Sequence, residues 1–153
     1  MESKIIATNK KAFQNYFLLE RWECGIILKG SEVKSLRSSG VNFTDSFAHV
    51  EGSEILLYNL HINSYVQASY LNVEPVRPRK LLLHKREISK IAGQVQKGLT
   101  LIPTKIYFNK RGFAKVEIAL GKSKKLHDRR EDIKKRDVDR EMKRAQHTHQ
   151  KNR

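Results

Sequence analysis

LTLIPTKIYFNKRGFAKVEIAL, residues 99–120, consists of two strand-like runs on either side of a turn signal. In the second run Ala114, Val116, Ile118 and Leu120 fall on one face and Lys115 and Glu117 on the other. That period of two marks a strand buried on one side only. Between the runs, Asn109-Lys110-Arg111-Gly112 ends in a residue able to take the positive φ that a four-residue hairpin loop often needs. The stretch reads as a half-buried antiparallel hairpin.

Outward from it the same signals recur. YFLLERWECGIIL, residues 16–28, is rich in aromatic and branched residues with partial alternation, which predicts a long strand buried on one face and partly on the other. FTDSFAHV and EILLYNLHI flank Glu51-Gly52-Ser53 as a second hairpin. Two helices interrupt the strands. SEVKSLRSSG offers Ser31 as N-cap, Glu32 in the first turn and Gly40 as a stop; HKREISKIAGQVQKG places Ile88, Ile91, Ala92 and Val95 on one stripe and ends at Gly98. Pro75 and Pro78 fix an extended loop that carries Arg77, Arg79 and Lys80. Short antiparallel strands with a few helices predict a mainly β fold, a closed or nearly closed barrel of the oligonucleotide-binding type, since closure removes exposed strand edges.

The chain has 153 residues, a size that suits one core, and 31 Lys and Arg against 16 Asp and Glu give a net charge of +15. An imbalance of that size selects polyanionic partners. No apolar run approaches the roughly 20 residues of a spanning helix, and MESKIIATNKKAF lacks the layout of a secretion signal. The expectation is a cytoplasmic protein, without membrane attachment and monomeric. A lone Cys24 inside an apolar run fits a reducing compartment and the role of a small hydrophobe.

Charge is unevenly distributed. Residues 121–153 hold 13 basic and six acidic residues, net +7, while residues 1–120 hold 18 and ten, net +8. The terminal stretch has only Leu126, Ile133, Val138, Met142 and Ala145 as apolar residues, too few to offset the entropy of ordering. A folded body, residues 1–121, and a basic tail, residues 122–153, are therefore expected. The tail is more than a charge run. Glu131 and Lys135, Asp132 and Arg136, and Asp139 and Lys143 are acid-before-base pairs four apart, each contributing roughly 0.2–0.5 kcal/mol to a helix. Nucleation is costly, so the isolated tail is expected to be disordered and to become helical in a binding groove.

Chemistry is sparse. One cysteine cannot build a conventional zinc site, and His49, His61 and His84 are scattered; His147 and His149 offer at most weak chelation. Phosphate-cradling loops and a nucleophile elbow are absent. Glu20, Glu23, Glu32, Asp45, Glu87 and Glu117 sit among basic residues without a pairing that signals acid/base work. No enzyme, metal or cofactor is expected; a nuclease is the least favoured class, and a general RNA-binding or ribosome-associated protein ranks above it. Lys and Arg would supply affinity through counterion release, with Tyr16, Trp22, Tyr58, Tyr65, Tyr70 and Tyr107 as the stacking candidates.

Four blocks carry a resemblance: NKKAFQNYFLLERWECGIILKGSEVKSLR at residues 9–37, NFTDSF at 42–47, RPRKLLLHKREI at 77–88 and KKLHDRRE at 124–131. In this order, and over nearly the whole chain, the sequence resembles the small protein B, or SsrA-binding protein, family of bacterial trans-translation. The resemblance implies an oblong oligonucleotide-binding barrel with about three helices. Its implied partners are transfer-messenger RNA, whose tRNA-like domain the body would bind in place of a missing anticodon arm, and a stalled ribosome, whose vacant decoding centre and messenger channel the tail would probe. It places RNA contacts at Glu23, Leu82 and His84, and the basic pair Arg79 and Lys80 just before the last two is expected to contact RNA with them. In the tail it places His127 against a ribosomal base, Lys124, Lys125, Arg129 and Arg130 on phosphates, and Asp128 within the same motif. Arg129 stands where the family usually has Lys, and Ser123 where Gly often precedes the lysine pair.

Overall fold

The computed structural model describes residues 3–38, 40–64 and 73–151, with the side chains of residues 126–129 and 147–151 outside that description. The elements are β1 (Lys4–Thr8), α1 (Lys10–Asn15), β2 (Tyr16–Ile26), α2 (Gly30–Ser38), β3 (Val41–Asn42), β4 (Phe47–Glu51), β5 (Glu54–Tyr58), β6 (His61–Ile62), β7 (Arg79–Leu82), α3 (Lys85–Gln96), β8 (Thr100–Phe108), β9 (Ala114–Ser123) and α4 (Leu126–Lys151). Seven strands form one antiparallel sheet in the order β1-β8-β4-β5-β7-β2-β9, and β8 also pairs with β9. This last pairing closes the sheet into a barrel, as the alternation predicts, and leaves β1 appended to β8.

Both predicted hairpins form. Glu51 pairs with Glu54 across the tight turn at Gly52, and Phe108 pairs with Ala114 across the longer loop. There Asn109 Oδ1 accepts from the Arg111 and Phe113 amides at 3.0 and 2.9 Å, and Gly112 takes φ 85°. An L side chain at that φ would be strained. Val116, Ile118 and Leu120 of β9 are buried with Cys24, Ile55, Leu57, Leu81 and Ile106 from the other strands. Leu36 of α2 and Ile91 of α3 join the same core, so the two predicted helices each contribute an apolar stripe to it.

Several expectations are corrected. Among the described residues there are four helices, one of which, α1, lay unseen in KKAFQN, a run too short for its period to register. Ser31 is not the cap of α2. The helix begins at Gly30, and Glu32 reaches back to accept from the Lys29 amide at 2.9 Å, half of a capping box with Lys29 in the cap position. Strand β9 runs to Ser123, pairing there with Tyr16, two residues past the expected end of the body. Finally, residues 126–151 form one helix, α4.

Candidate nucleic-acid interface

Residues that alternate outward on β7, β2, β9 and β8 share one face of the barrel. Registers line them up in two rows. Leu82 pairs with Gly25, Gly25 with Lys115, and Lys115 with Tyr107. In the next row Glu23 pairs with Glu117, and Glu117 with Lys105. Sheet pairing thus brings together Glu23 and Leu82, which stand 59 positions apart in the chain.

Gly25 determines the shape of the first row. A Cβ there would lie 3.2 Å from Leu82 Cβ and Cδ1, so any larger residue would press on Leu82 and shift it by a few tenths of an ångström. Leu82 is 49% exposed, and with Gly25, Leu28, Val33, Phe113 and Lys115 it lines an open groove of about 290 Å³. Phe113, at 63% exposure, is the more open aromatic. Sequence reading passed over it because it sits in the hairpin loop, off the alternating run; an apolar residue next to a turn glycine was the available signal.

The other predicted residues divide. Glu23 is exposed and accepts from the Tyr107 hydroxyl. Burial and then this carboxylate push the Tyr107 pKa up, so the phenol stays a donor. His84 occupies the N-cap position of α3, exposed and without a side-chain capping bond. Lys80 points outward and pairs with Glu54 at 2.9 Å. Arg79 is not on this face. It is fully buried, donating from Nε to Glu32 at 2.6 Å, from Nη1 to the Leu60 carbonyl at 2.5 Å and from Nη2 to the Pro75 carbonyl at 2.9 Å. The expectation of an RNA contact at Arg79 is therefore corrected: period two turns Arg79 inward with Leu81 while Lys80 and Leu82 face out.

Among the stacking candidates, Tyr107 lies on the face just described, with Lys105 Nζ 5.5 Å from its ring centre. Tyr58 is stacked on Phe47 at 5.4 Å and 16°, Trp22 packs on the core and Tyr16 is half-buried. Tyr65 and Tyr70 lie outside the described residues.

The tail begins with an anchor rather than a free cation. The Lys124 side chain is only 7% exposed; its ammonium pairs with Asp132, donates to the Phe13 carbonyl at 3.2 Å and sits 5.0 Å from the Phe17 ring centre. Arg136 donates to the same carbonyl at 3.4 Å. The expected phosphate contact of Lys124 thus gives way here to a fixing contact between α4 and the body. Lys125 and Arg130 are exposed, while the side chains of His127, Asp128 and Arg129, on the first turn of α4, lie outside the described residues. Residues 137–146 are exposed throughout, including Val138 and Met142 at 48% and 60%. Among the described residues, no group of three or more His, Cys, Asp or Glu could hold a metal ion, and no helix is long and apolar enough to cross a membrane.

A closed antiparallel barrel with a mixed charged and apolar strand face, and a basic helix running on from it, fits the class of nucleic-acid-binding proteins. The family model described as SmpB protein matches residues 6–148. The chain belongs to the SmpB family. It is 59% identical over 140 residues to the SsrA-binding protein of Thermosipho melanesiensis, covering 91% of this chain and 95% of that one. The SsrA-binding protein of Caldanaerobacter subterraneus subsp. tengcongensis is 57% identical over 142 residues, 92% and 89% of the two chains. A solved structure described as "tmRNA-SmpB: a journey to the center of the bacterial ribosome" is similar at TM-score 0.67 and 55% identity, over 78% of this chain and 85% of that one.

Proposed function

We infer that this chain is a transfer-messenger RNA-binding adaptor for trans-translation in the bacterial cytoplasm. The barrel binds the tRNA-like domain in place of the missing anticodon arm and delivers it to stalled ribosomes. Helix α4 then probes the vacant decoding centre and messenger channel. The role is one of binding and delivery, with no bond made or broken by the chain itself. One observation carries this reading: the family match runs from residue 6 to residue 148, and so includes both the barrel face and the tail. The relatives named SsrA-binding protein and the ribosome-related structure supply the partners.

The two surfaces suit two polynucleotides. On the barrel, Glu23, Lys80, Leu82 and His84 form the contact with transfer-messenger RNA, beside the groove under Phe113. On the tail, Lys125, His127, Asp128, Arg129 and Arg130 engage ribosomal RNA. In this reading α4 beyond the Lys124 anchor is labile in the free chain, since residues 137–146 gain no burial to offset their ordering. The messenger channel supplies what the body does not.

A competition titration of the full chain against transfer-messenger RNA and ordinary tRNA across a salt series tests the first half. Preference for transfer-messenger RNA that persists at high salt is expected; equal affinity for both RNAs overturns the reading. Deleting residues 126–153, which leaves β9 and Lys124 intact, is expected to preserve that preference and abolish tagging on stalled ribosomes. Loss of RNA binding on truncation would show that the two surfaces are not separable.

A further inference from the structure

Cations are missing from one part of the chain. Between Arg37 and Arg77, residues 38–76 contain no Lys or Arg, although the whole chain has 31 and about eight would be expected over that length. Asp45, Glu51, Glu54 and Glu74 leave this segment at a net charge of −4. Its described part folds as β3 to β6, so the gap in sequence becomes a place on the surface. In the β4–β5 hairpin Ala48, Ile55 and Leu57 are buried. On the opposite, outward face the register sets Phe47 beside Tyr58, His49 beside Leu56 and Glu51 beside Glu54.

These outward side chains are organised. Phe47, 39% exposed, lies nearly parallel to Tyr58, with ring centres 5.4 Å apart and planes 16° apart. The Tyr58 hydroxyl donates to Glu51, which ties the ring pair to a carboxylate; that bond raises the Tyr58 pKa, so the phenol remains the donor. Glu51 meets no Lys or Arg among the described residues, and its ionic neighbour is the His49 ring at 4.0 Å. The nearest cation by register, Lys80 beside Leu56, is paired with Glu54 at 2.9 Å.

Exposed aromatic faces attract unstacked bases or arginine guanidinium groups. A platform for bases needs cations alongside to hold the phosphates, and here carboxylates stand in their place. Arginine fits both features: its planar guanidinium stacks on an aromatic ring and forks onto a carboxylate. We propose that the outward face of the β4–β5 hairpin docks an arginine-bearing segment of a ribosomal protein, with Phe47 and Tyr58 as the stacking surface and Glu51 as the counter-charge. The proposal rests on the reading of the chain as an adaptor that enters stalled ribosomes, and adds a protein contact to its two RNA contacts. A face without cations also keeps this side of a +15 chain from being drawn onto the wrong polyanion.

The test uses the full chain bound to transfer-messenger RNA and purified ribosomes stalled with an empty decoding site, with Glu51→Gln, Glu51→Lys and Phe47→Leu. Dissociation constants are measured for the ribosome and, separately, for a transcript of the tRNA-like domain, with urea midpoints as the check on folding. Ribosome affinity should fall about 3-fold for Glu51→Gln and Phe47→Leu and about 10-fold for Glu51→Lys, while affinity for the transcript stays at the wild-type value. A benzophenone amino acid at residue 49 of the otherwise unaltered chain should crosslink to a ribosomal protein, at an arginine-containing peptide identified by mass spectrometry. Tighter ribosome binding by Glu51→Lys, or a crosslink to RNA, would show that RNA faces the hairpin and overturn the proposal. Unchanged ribosome affinity in all three variants, or the lack of any crosslink, would show a face turned to solvent and overturn it equally. Should Glu51→Lys fail to fold, Glu51→Gln and the crosslink still decide. If the wild-type complex does not bind stalled ribosomes at all, the functional reading falls and the proposal with it, a result distinct from each of these.

Discussion

Replacing Arg79 by Met should unfold the protein far more easily while leaving the electrostatics of RNA binding untouched. Arg79 is fully buried, and its guanidinium joins Glu32 of α2, the Leu60 carbonyl before β6 and the Pro75 carbonyl of the loop leading into β7. Met fills a similar volume but takes the guanidinium donors away from the Leu60 and Pro75 carbonyls, of which Pro75 keeps the Ile62 amide at 3.0 Å, and Glu32 keeps only Arg77 and the Lys29 amide. Breaking a buried pair from one side costs about 3–5 kcal/mol. For a chain of this size that corresponds to a fall in Tm of roughly 10 °C, or a urea midpoint lower by about 2 M. Arg79→Lys keeps the charge but cannot reach three acceptors in one plane, so a loss of similar sign and smaller size is expected. The assay is equilibrium urea unfolding, paired with RNA titrations at several salt concentrations below the transition. The salt slope of Arg79→Met should match wild type, whereas the exposed-face control Lys115→Gln should lower it by about 0.7 without changing stability. A midpoint for Arg79→Met within error of wild type, or a slope reduced as in the control, would refute the argument that this arginine is structural.

The same cluster gives a pH dependence. Burial alone would raise the Glu32 pKa, but hydrogen bonds from Arg77, the Lys29 amide and Arg79 outweigh it and hold the carboxyl below its usual range. A depressed carboxylate contributes stability above its unfolded pKa of about 4.3 and loses it as pH falls through the folded value. The stability gap between wild type and Glu32→Gln should therefore be constant from neutral pH down to about 5 and close at more acid pH, as read by urea midpoints. Gly25→Ala should weaken binding of the tRNA-like domain several-fold with a stability loss of about 1 kcal/mol, because the new methyl displaces Leu82 at the surface; unchanged affinity would remove Leu82 from the interface. Cys24 is buried and its thiol is pushed up to about 12, first by burial and then by Glu87 and Glu23, so a thiol reagent at pH 8 should label it only on unfolding. Lys124→Ala should speed proteolysis between the body and α4 and lower helix content by circular dichroism, since it removes the contacts to Asp132 and the Phe13 carbonyl together.

Strand period and turn residues were enough to place both hairpins and the long second strand. Val116, Ile118 and Leu120 repeat every two residues on the buried face, and Gly112 marks the loop, so these elements are local in origin. The imbalance of charge likewise pointed to a polyanionic partner, and the expected division between body and tail rests on composition alone. Where sequence reading failed, the cause was nonlocal. Arg79 and Lys80 look alike as adjacent basic residues, and only the turn of the strand decides that one is sealed with Glu32 while the other meets solvent. Lys124 reads as a tail cation until α1 supplies the Phe13 carbonyl that fixes it. The alignment of Leu82, Gly25, Lys115 and Tyr107 in one row, and the Tyr107 hydroxyl that meets Glu23, depend on strand registers set across the barrel. Side-chain period is written residue by residue along the chain, whereas which strands lie together, and what each side chain finds opposite, is settled only when the whole sheet closes.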